Sequence, residues 1–321
     1  VTSEGSRPQD NAALRASYEA RVRGDIPSPT TVGQLVTAWL SHCRSNYPAR
    51  PGKRSSTFTN ARDATRPLLD LYSAHPIAAL GPVELQAVRL YMIDSRLARK
   101  TINDRIARIR RMYRWAVDRG WIQSNLVEGL NIDGLRRNRS AAVETEPHQA
   151  VPIDSIMRTL RDRRLSPVVK DMVRFQLRTG ARPAEVCELC GRDIDTSASP
   201  WVWKPPHKMS WLERSRVILI GERAQLVLLP HLQDGPCFLS RRNKPYRIDS
   251  YRQEIVRAAE RQGVERWTPQ QVRMRTATEA ATDSEIAARD VLGHADVRTT
   301  RKHYIDTRHS PEAMRFVRRF G

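Results

Sequence analysis

The sequence is poor in cysteine, in acidic side chains and in long apolar runs, and each shortage narrows what the chain can be. Four cysteines in 321 residues, Cys43, Cys187, Cys190 and Cys237, are too few to staple a chain of this length, which fits a reducing compartment. Cys187 and Cys190 form a CxxC, but no second Cys/His pair at similar spacing accompanies them. No metal is therefore expected, and packing is the expected role of both thiols. No run of about 18 apolar residues occurs, so no transmembrane helix is expected. The first 23 residues are polar and lack the apolar core of a secretory signal. A cytoplasmic protein is the resulting expectation.

Acidic residues number 35 against 55 Lys and Arg, a net charge of +20 and a pI of about 10.7. A charge this large repels itself in the compact state and attracts polyanions. No short Lys/Arg cluster flanks an apolar helix, so an anionic membrane fits less well than nucleic acid. Much of the excess is arginine, whose planar fork matches phosphate oxygens better than lysine does. Composition by itself reaches a nucleic-acid binder and stops there.

What is present divides into two parts, and the length suffices for two separate cores. Residues 1–30 read as a flexible tail. From residue 31 the pattern is helical: Val32, Leu35, Val36, Trp39 and Leu40 recur at three- and four-residue spacing. After a loop over 48–56, a second helix is expected over 58–72. A third opens at Gly81-Pro82 and runs to about 96, with Val83, Leu85, Val88, Leu90 and Met92 as its apolar positions. A fourth, over 101–118, carries one apolar stripe, Ile102, Ile106, Ile109, Tyr113 and Ala116. Eight Lys/Arg fall between residues 99 and 119, against only Asp104 and Asp118. A solvated basic face is common. This density points instead to phosphate or groove contact, with Lys100, Arg105, Arg108 and Arg111 as the candidates.

The polar stretch 134–150 reads as a linker, placing a helical domain at 31–133 and a second domain at 151–321. The second is mostly helical with one β segment. Trp201-Val202-Trp203 and Val217-Ile218-Leu219-Ile220 are β-prone runs about a dozen residues apart, with Lys208 in their connection. Helices are expected at 223–229, 248–262, 270–281, 283–292 and 311–320. The fold class is thus mainly α with a small antiparallel β-sheet, α+β in the second domain.

Four short segments of the second half carry the chemistry. They are Thr179-Gly180-Ala181-Arg182-Pro183-Ala184-Glu185; His207-Lys208 ahead of Arg214-Ser215-Arg216; Trp267-Thr268-Pro269-Gln270-Gln271-Val272-Arg273; and Leu292-Gly293-His294, followed ten positions later by Tyr304. In this order and spacing they resemble the tyrosine recombinase (phage integrase) family over most of 150–310. The resemblance implies an all-helical core DNA-binding domain joined to a catalytic domain.

It also assigns roles. Tyr304 is the nucleophile, leaving a 3′-phosphotyrosine and a free 5′-hydroxyl. Arg182 and Arg273 clamp the phosphate, Lys208 protonates the leaving oxygen, and His294 and Gln270 add hydrogen bonds. Glu185 braces the site from behind. The chemistry needs these types. Tyrosine, with a pKa near 10, must lose its proton during attack, and fixed arginines stabilise the charge that develops on the non-bridging oxygens. The phosphotyrosine stores the bond energy, so no cofactor is expected. The implied partners are double-stranded DNA, three further copies of the chain in a tetramer on DNA, and accessory DNA-bending proteins. The segment 310–320 reads as a short amphipathic helix that either covers its own domain or, as the resemblance implies, docks on a neighbouring protomer.

One departure stands out. The second arginine box of the family usually reads His-x-x-Arg, and here Gln270 replaces that histidine, with Met274 in place of another. Glutamine hydrogen-bonds but takes no proton near neutral pH. Two alternatives therefore stay open: a DNA-binding accessory protein with impaired cleavage on the same scaffold, and a type IB topoisomerase-like nicking and relaxing enzyme.

Overall fold

The computed structural model describes residues 28–48, 56–146, 149–205 and 217–292. The chain forms two compact units, Val1–Glu146 and Pro147–Gly321. The described residues are mostly helical, with one three-stranded antiparallel sheet.

In the first unit α1 (Val32–Asn46), α2 (Ser56–Tyr72), α3 (Pro82–Asp94), α4 (Arg99–Asp118) and the short α5 (Ser124–Gly129) enclose one core. Helix α1 starts at a capping box: the Thr31 hydroxyl accepts from the Gln34 amide, and the Gln34 side chain reaches back to the Thr31 amide. Val32, Leu35, Val36 and Trp39 are buried as their spacing predicts. So are Ile102, Ile106, Ile109, Tyr113 and Ala116 of α4, joined by Met112.

Helix α3 differs from its pattern, because apolar residues occur all around it. Leu85, Val88 and Met92 face the core, whereas Val83 and Leu90 are 73% and 59% exposed. Residues 134–146, within the stretch expected as a linker, are tied into this unit. Leu135 and Ala142 pack on its core, the Arg99 amide donates to the Val143 carbonyl at 2.9 Å, and Arg99 pairs with Glu144 at 2.7 Å.

The second unit holds α6 (Ile153–Leu160), α7 (Pro167–Thr179), α8 (Pro183–Glu188), α9 (Glu222–Leu228), α10 (Ile248–Arg261), α11 (Pro269–Asp283) and α12 (Glu285–Leu292). Its strands β1 (Ile194–Asp195), β2 (Trp201–Trp203) and β3 (Ile218–Ile220) pair in that order, with Trp203 opposite Ile218. Two-residue β1 is too short to leave an alternation in the sequence. The sheet is anchored through Trp203, buried against Phe175 of α7 with ring centroids 6.0 Å apart; Phe175 also meets Phe238 at 5.9 Å. Helix α8 ends at Glu188, and Cys190 lies just beyond it. All four cysteines are free thiols, and the buried Cys187 belongs to the core. Among the described residues no helix is long and apolar enough to cross a membrane. The predicted helix over 311–320 and residues 1–27 of the tail expected over 1–30 lie outside the described residues.

Candidate active site

The first arginine segment is a helix end, a turn and a helix start in succession. Helix α7 stops at Gly180, whose φ of +61° lies in the left-handed region and whose amide caps onto the Gln176 carbonyl at 2.9 Å. A Cβ added there would sit 3.1 Å from Val291 Cγ1, so the position needs glycine for its conformation and for its space. Two residues later Arg182 is the N-cap of α8, with Pro183 in the first turn. The Glu185 carboxylate accepts from the Arg182 amide at 2.6 Å and from its Nη1 at 2.7 Å. Glu185 is only 8% exposed, while Arg182 keeps 40% of its side chain accessible. A carboxylate held in the fold thus steers a guanidinium that still reaches solvent.

The second arginine segment opens α11 by a capping box, Thr268 with Gln271, whose side chain accepts from the Thr268 amide at 2.9 Å. This start fixes the helical register, so Arg273 and the half-buried Gln270 lie one turn apart on one face. Arg273 is fully buried. Its Nη1 donates to the Gly180 carbonyl and its Nη2 to the Leu292 carbonyl, the latter at 2.9 Å. A buried charge is costly unless it is hydrogen-bonded, and these bonds have a positional consequence. One guanidinium ties the turn before Arg182 to the end of α12, two residues short of His294.

The structure therefore brings together Arg182, Glu185, Gln270 and Arg273. Lys208, His294 and Tyr304 lie outside the described residues, but both strands flanking Lys208 are in place and α12 leads to His294. Among the described residues no group of three or more His, Cys, Asp or Glu is placed to hold a metal ion.

The four predicted DNA-contacting residues of α4 separate by exposure. Lys100 and Arg111 are exposed, opposite the buried stripe, and Arg114 joins them. Arg105 and Arg108 are half-buried, and Arg108 donates to the Asp104 carbonyl at 3.2 Å. Nearby, Arg119 stacks over Trp115 and Trp121, 4.7 and 5.6 Å from their ring centroids, which gives it a packing role.

A second basic surface escaped the sequence pattern. A cleft of about 700 Å³ in the second unit is lined by Arg164, Arg241, Arg242, Lys244, Arg247, Arg257 and Arg261, with Glu254 as the one carboxylate. Helix α10 turns Tyr251, Ile255 and Ala258 inward and offers Arg247, Ser250, Glu254 and Arg257 to the cleft. Arg241 and Arg242 sit in a tight turn closed by the Ser240 amide on the Lys244 carbonyl at 2.9 Å, with Asn243 at φ +55°. Its main sequence trace is the Arg241-Arg242-Asn243-Lys244 run, because Arg247, Arg257 and Arg261 are spaced out behind it and Arg164 comes from a separate segment.

The profile of the Phage integrase family matches residues 149–310. Among curated proteins none matches the chain by sequence. Among solved structures, a Tn1549 transposon integrase fragment in complex with circular intermediate DNA is similar over 90% of this chain and 99% of its own, at 17% identity and a TM-score of 0.69. A lambda integrase dimer bound to a COC′ core site is similar over 94% of this chain and 82% of its own, at 16% identity and a TM-score of 0.67. At such identities the likeness is one of fold.

Proposed function

Because the chain belongs to the phage integrase family of tyrosine recombinases, we propose that it is a site-specific DNA recombinase using Arg182, Lys208, Gln270, Arg273, His294 and Tyr304. Tyr304 attacks a DNA phosphate, forms a 3′-phosphotyrosine and releases a 5′-hydroxyl. Arg182 and Arg273 hold the non-bridging oxygens, where charge develops in the transition state. Lys208 gives its proton to the departing oxygen. Gln270 donates to the phosphate from the face it shares with Arg273, and it leaves the proton of Tyr304 to another acceptor.

The observation that carries this reading is the Arg273 guanidinium bonded to the Gly180 carbonyl, which couples the two arginine segments across 93 residues of sequence. Residues 31–133 are assigned as the core DNA-binding domain and 151–321 as the catalytic domain. Double-stranded DNA is the substrate, contacted by the basic face of α4 and by the cleft along α10. Related integrases have been solved as a dimer on a core site and as a tetramer on a Holliday junction. A tetramer on DNA is proposed here too, with DNA-bending proteins as helpers and the nucleoid as the location.

Arg182→Ala tests the reading. Single-turnover cleavage of a nicked duplex covering the DNA on either side of the gene should fall about 10²–10³-fold, the usual loss for one such donor. Binding of the same duplex should persist. Cleavage at the parental rate would remove Arg182 from the site.

A further inference from the structure

Gln176 is a fully buried polar side chain inside the apolar core of the second unit, on α7, six residues before Arg182. Its amide nitrogen donates twice, to the Ala181 carbonyl at 3.0 Å and to the Pro269 carbonyl at 3.1 Å. Its oxygen accepts from the Tyr251 hydroxyl of α10 at 2.9 Å. A primary amide has two N–H groups, and both are used. The carbonyls they meet are no ordinary pair. Ala181 C=O belongs to the peptide unit that carries Arg182, and Pro269 C=O to the one that carries Gln270. Tyr251 fixes which way the amide faces, because only this orientation gives its hydroxyl an acceptor and both carbonyls a donor. Burial raises the Tyr251 pKa well above its ordinary value, which keeps the hydroxyl protonated as the donor.

We propose that Gln176, oriented by Tyr251, is a positioning residue for strand cleavage, its amide setting the separation of the two turns that present Arg182 and Gln270. The bridge touches no DNA and acts through those two residues, so it rests on the roles proposed for them above. The phosphate must meet donors from both turns at once, and a shift of about 1 Å in such a site can cost about 10²-fold in rate. An apolar side chain of similar size would fill the same space without holding either peptide, so its polarity serves more than filling.

Gln176→Leu and Tyr251→Phe separate positioning from plain stability. For each, the single-turnover cleavage rate on the nicked duplex is measured with saturating protein at a temperature where the variant is fully folded, alongside its affinity for the same DNA. The expected result is a cleavage rate at least tenfold lower for Gln176→Leu and several-fold lower for Tyr251→Phe. Affinity should stay within twofold of the parent, and the double variant should be no slower than Gln176→Leu, since both act on one bridge. Variants that melt earlier yet cleave at the parental rate when folded would overturn the proposal, because the bridge would then be only structural. Should Gln176→Leu fail to fold, Tyr251→Phe removes a single oxygen and decides the matter alone: an unchanged rate overturns the proposal. Parental protein that forms no Tyr304-dependent adduct overturns the recombinase reading and this role together. A parental adduct with unimpaired variants overturns this role alone.

Discussion

At the scale of single residues, the site is organised by who holds each charge. Arg182 is steered by one carboxylate, Glu185, which also caps the helix that Arg182 begins. Glu185→Ala therefore removes a cap and a brace at once. Cleavage should fall at least about tenfold while Arg182 itself remains, and thermal melting should register the lost cap, typically about 1 kcal/mol. Gln270 sets a different expectation. It carries no titratable proton, whereas a histidine in its place titrates near pH 6.5. The Gln270→His variant should gain a step in its cleavage–pH profile between about pH 6 and 7, rising as the imidazole becomes neutral and able to accept a proton. A profile identical to the parent would mean that position 270 does not face the reacting atoms. Arg182, Glu185 and Arg273 were legible because short motifs marked them. Gln176 was not, because one glutamine among the polar residues of an amphipathic helix carries no pattern until its three partners, up to 93 residues away, are in place.

At the scale of elements, helix starts and stops do the positioning. Helix α7 must end at Gly180 for Arg273 to reach a backbone carbonyl there, and the close approach of Val291 leaves no room for a side chain. Gly180→Ala should destabilise the second unit by roughly 1–3 kcal/mol, combining a strained φ with crowding, as read from denaturant unfolding. An unchanged midpoint would contradict that view of the turn. The helices with one apolar stripe, α1 and α4, could be read directly from spacing. Helix α3 could not be read so closely, because Val83 and Leu90 made every face look apolar and spacing alone does not choose among equal stripes. Strand β1 has two residues and α6 eight, too few to establish a period, and the 13 residues of α7 were marked in the sequence only at their end, by Thr179-Gly180.

At the scale of the whole molecule, electrostatics acts in two ways. The cleft along α10 joins Arg164 to basic residues spread over 241–261, which is why the denser basic helix α4 stood out beforehand and the cleft did not. If both engage phosphate, DNA affinity should fall steeply with salt, and removing Arg241 or Arg242 should lower the log–log slope by about one each while weakening binding to all sequences alike. An unchanged slope would remove the cleft from the interface.

The second effect is on stability. Asp162 is buried, which alone would raise its pKa, but hydrogen bonds from Arg261 and the Arg164 amide, with the charges of Arg261 and Lys170, hold it below the ordinary carboxylate range. A depressed folded-state pKa means stability present above the unfolded value and lost as pH falls through the folded one. Asp162→Asn should therefore lower the melting temperature at pH 7, with the gap to the parent closing below about pH 4. A gap that persisted in acid would assign the loss to packing instead.

The proposed reaction requires that Tyr304 become covalently joined to DNA. Parental protein and Tyr304→Phe are mixed with the duplex flanking the gene, stopped with denaturant, and protein-linked DNA is captured. Adducts are expected with the parent, with free 5′-hydroxyl ends on the released strand, and none with Tyr304→Phe. Tight binding by the parent with no adduct, or adducts that survive Tyr304→Phe, would contradict that reaction.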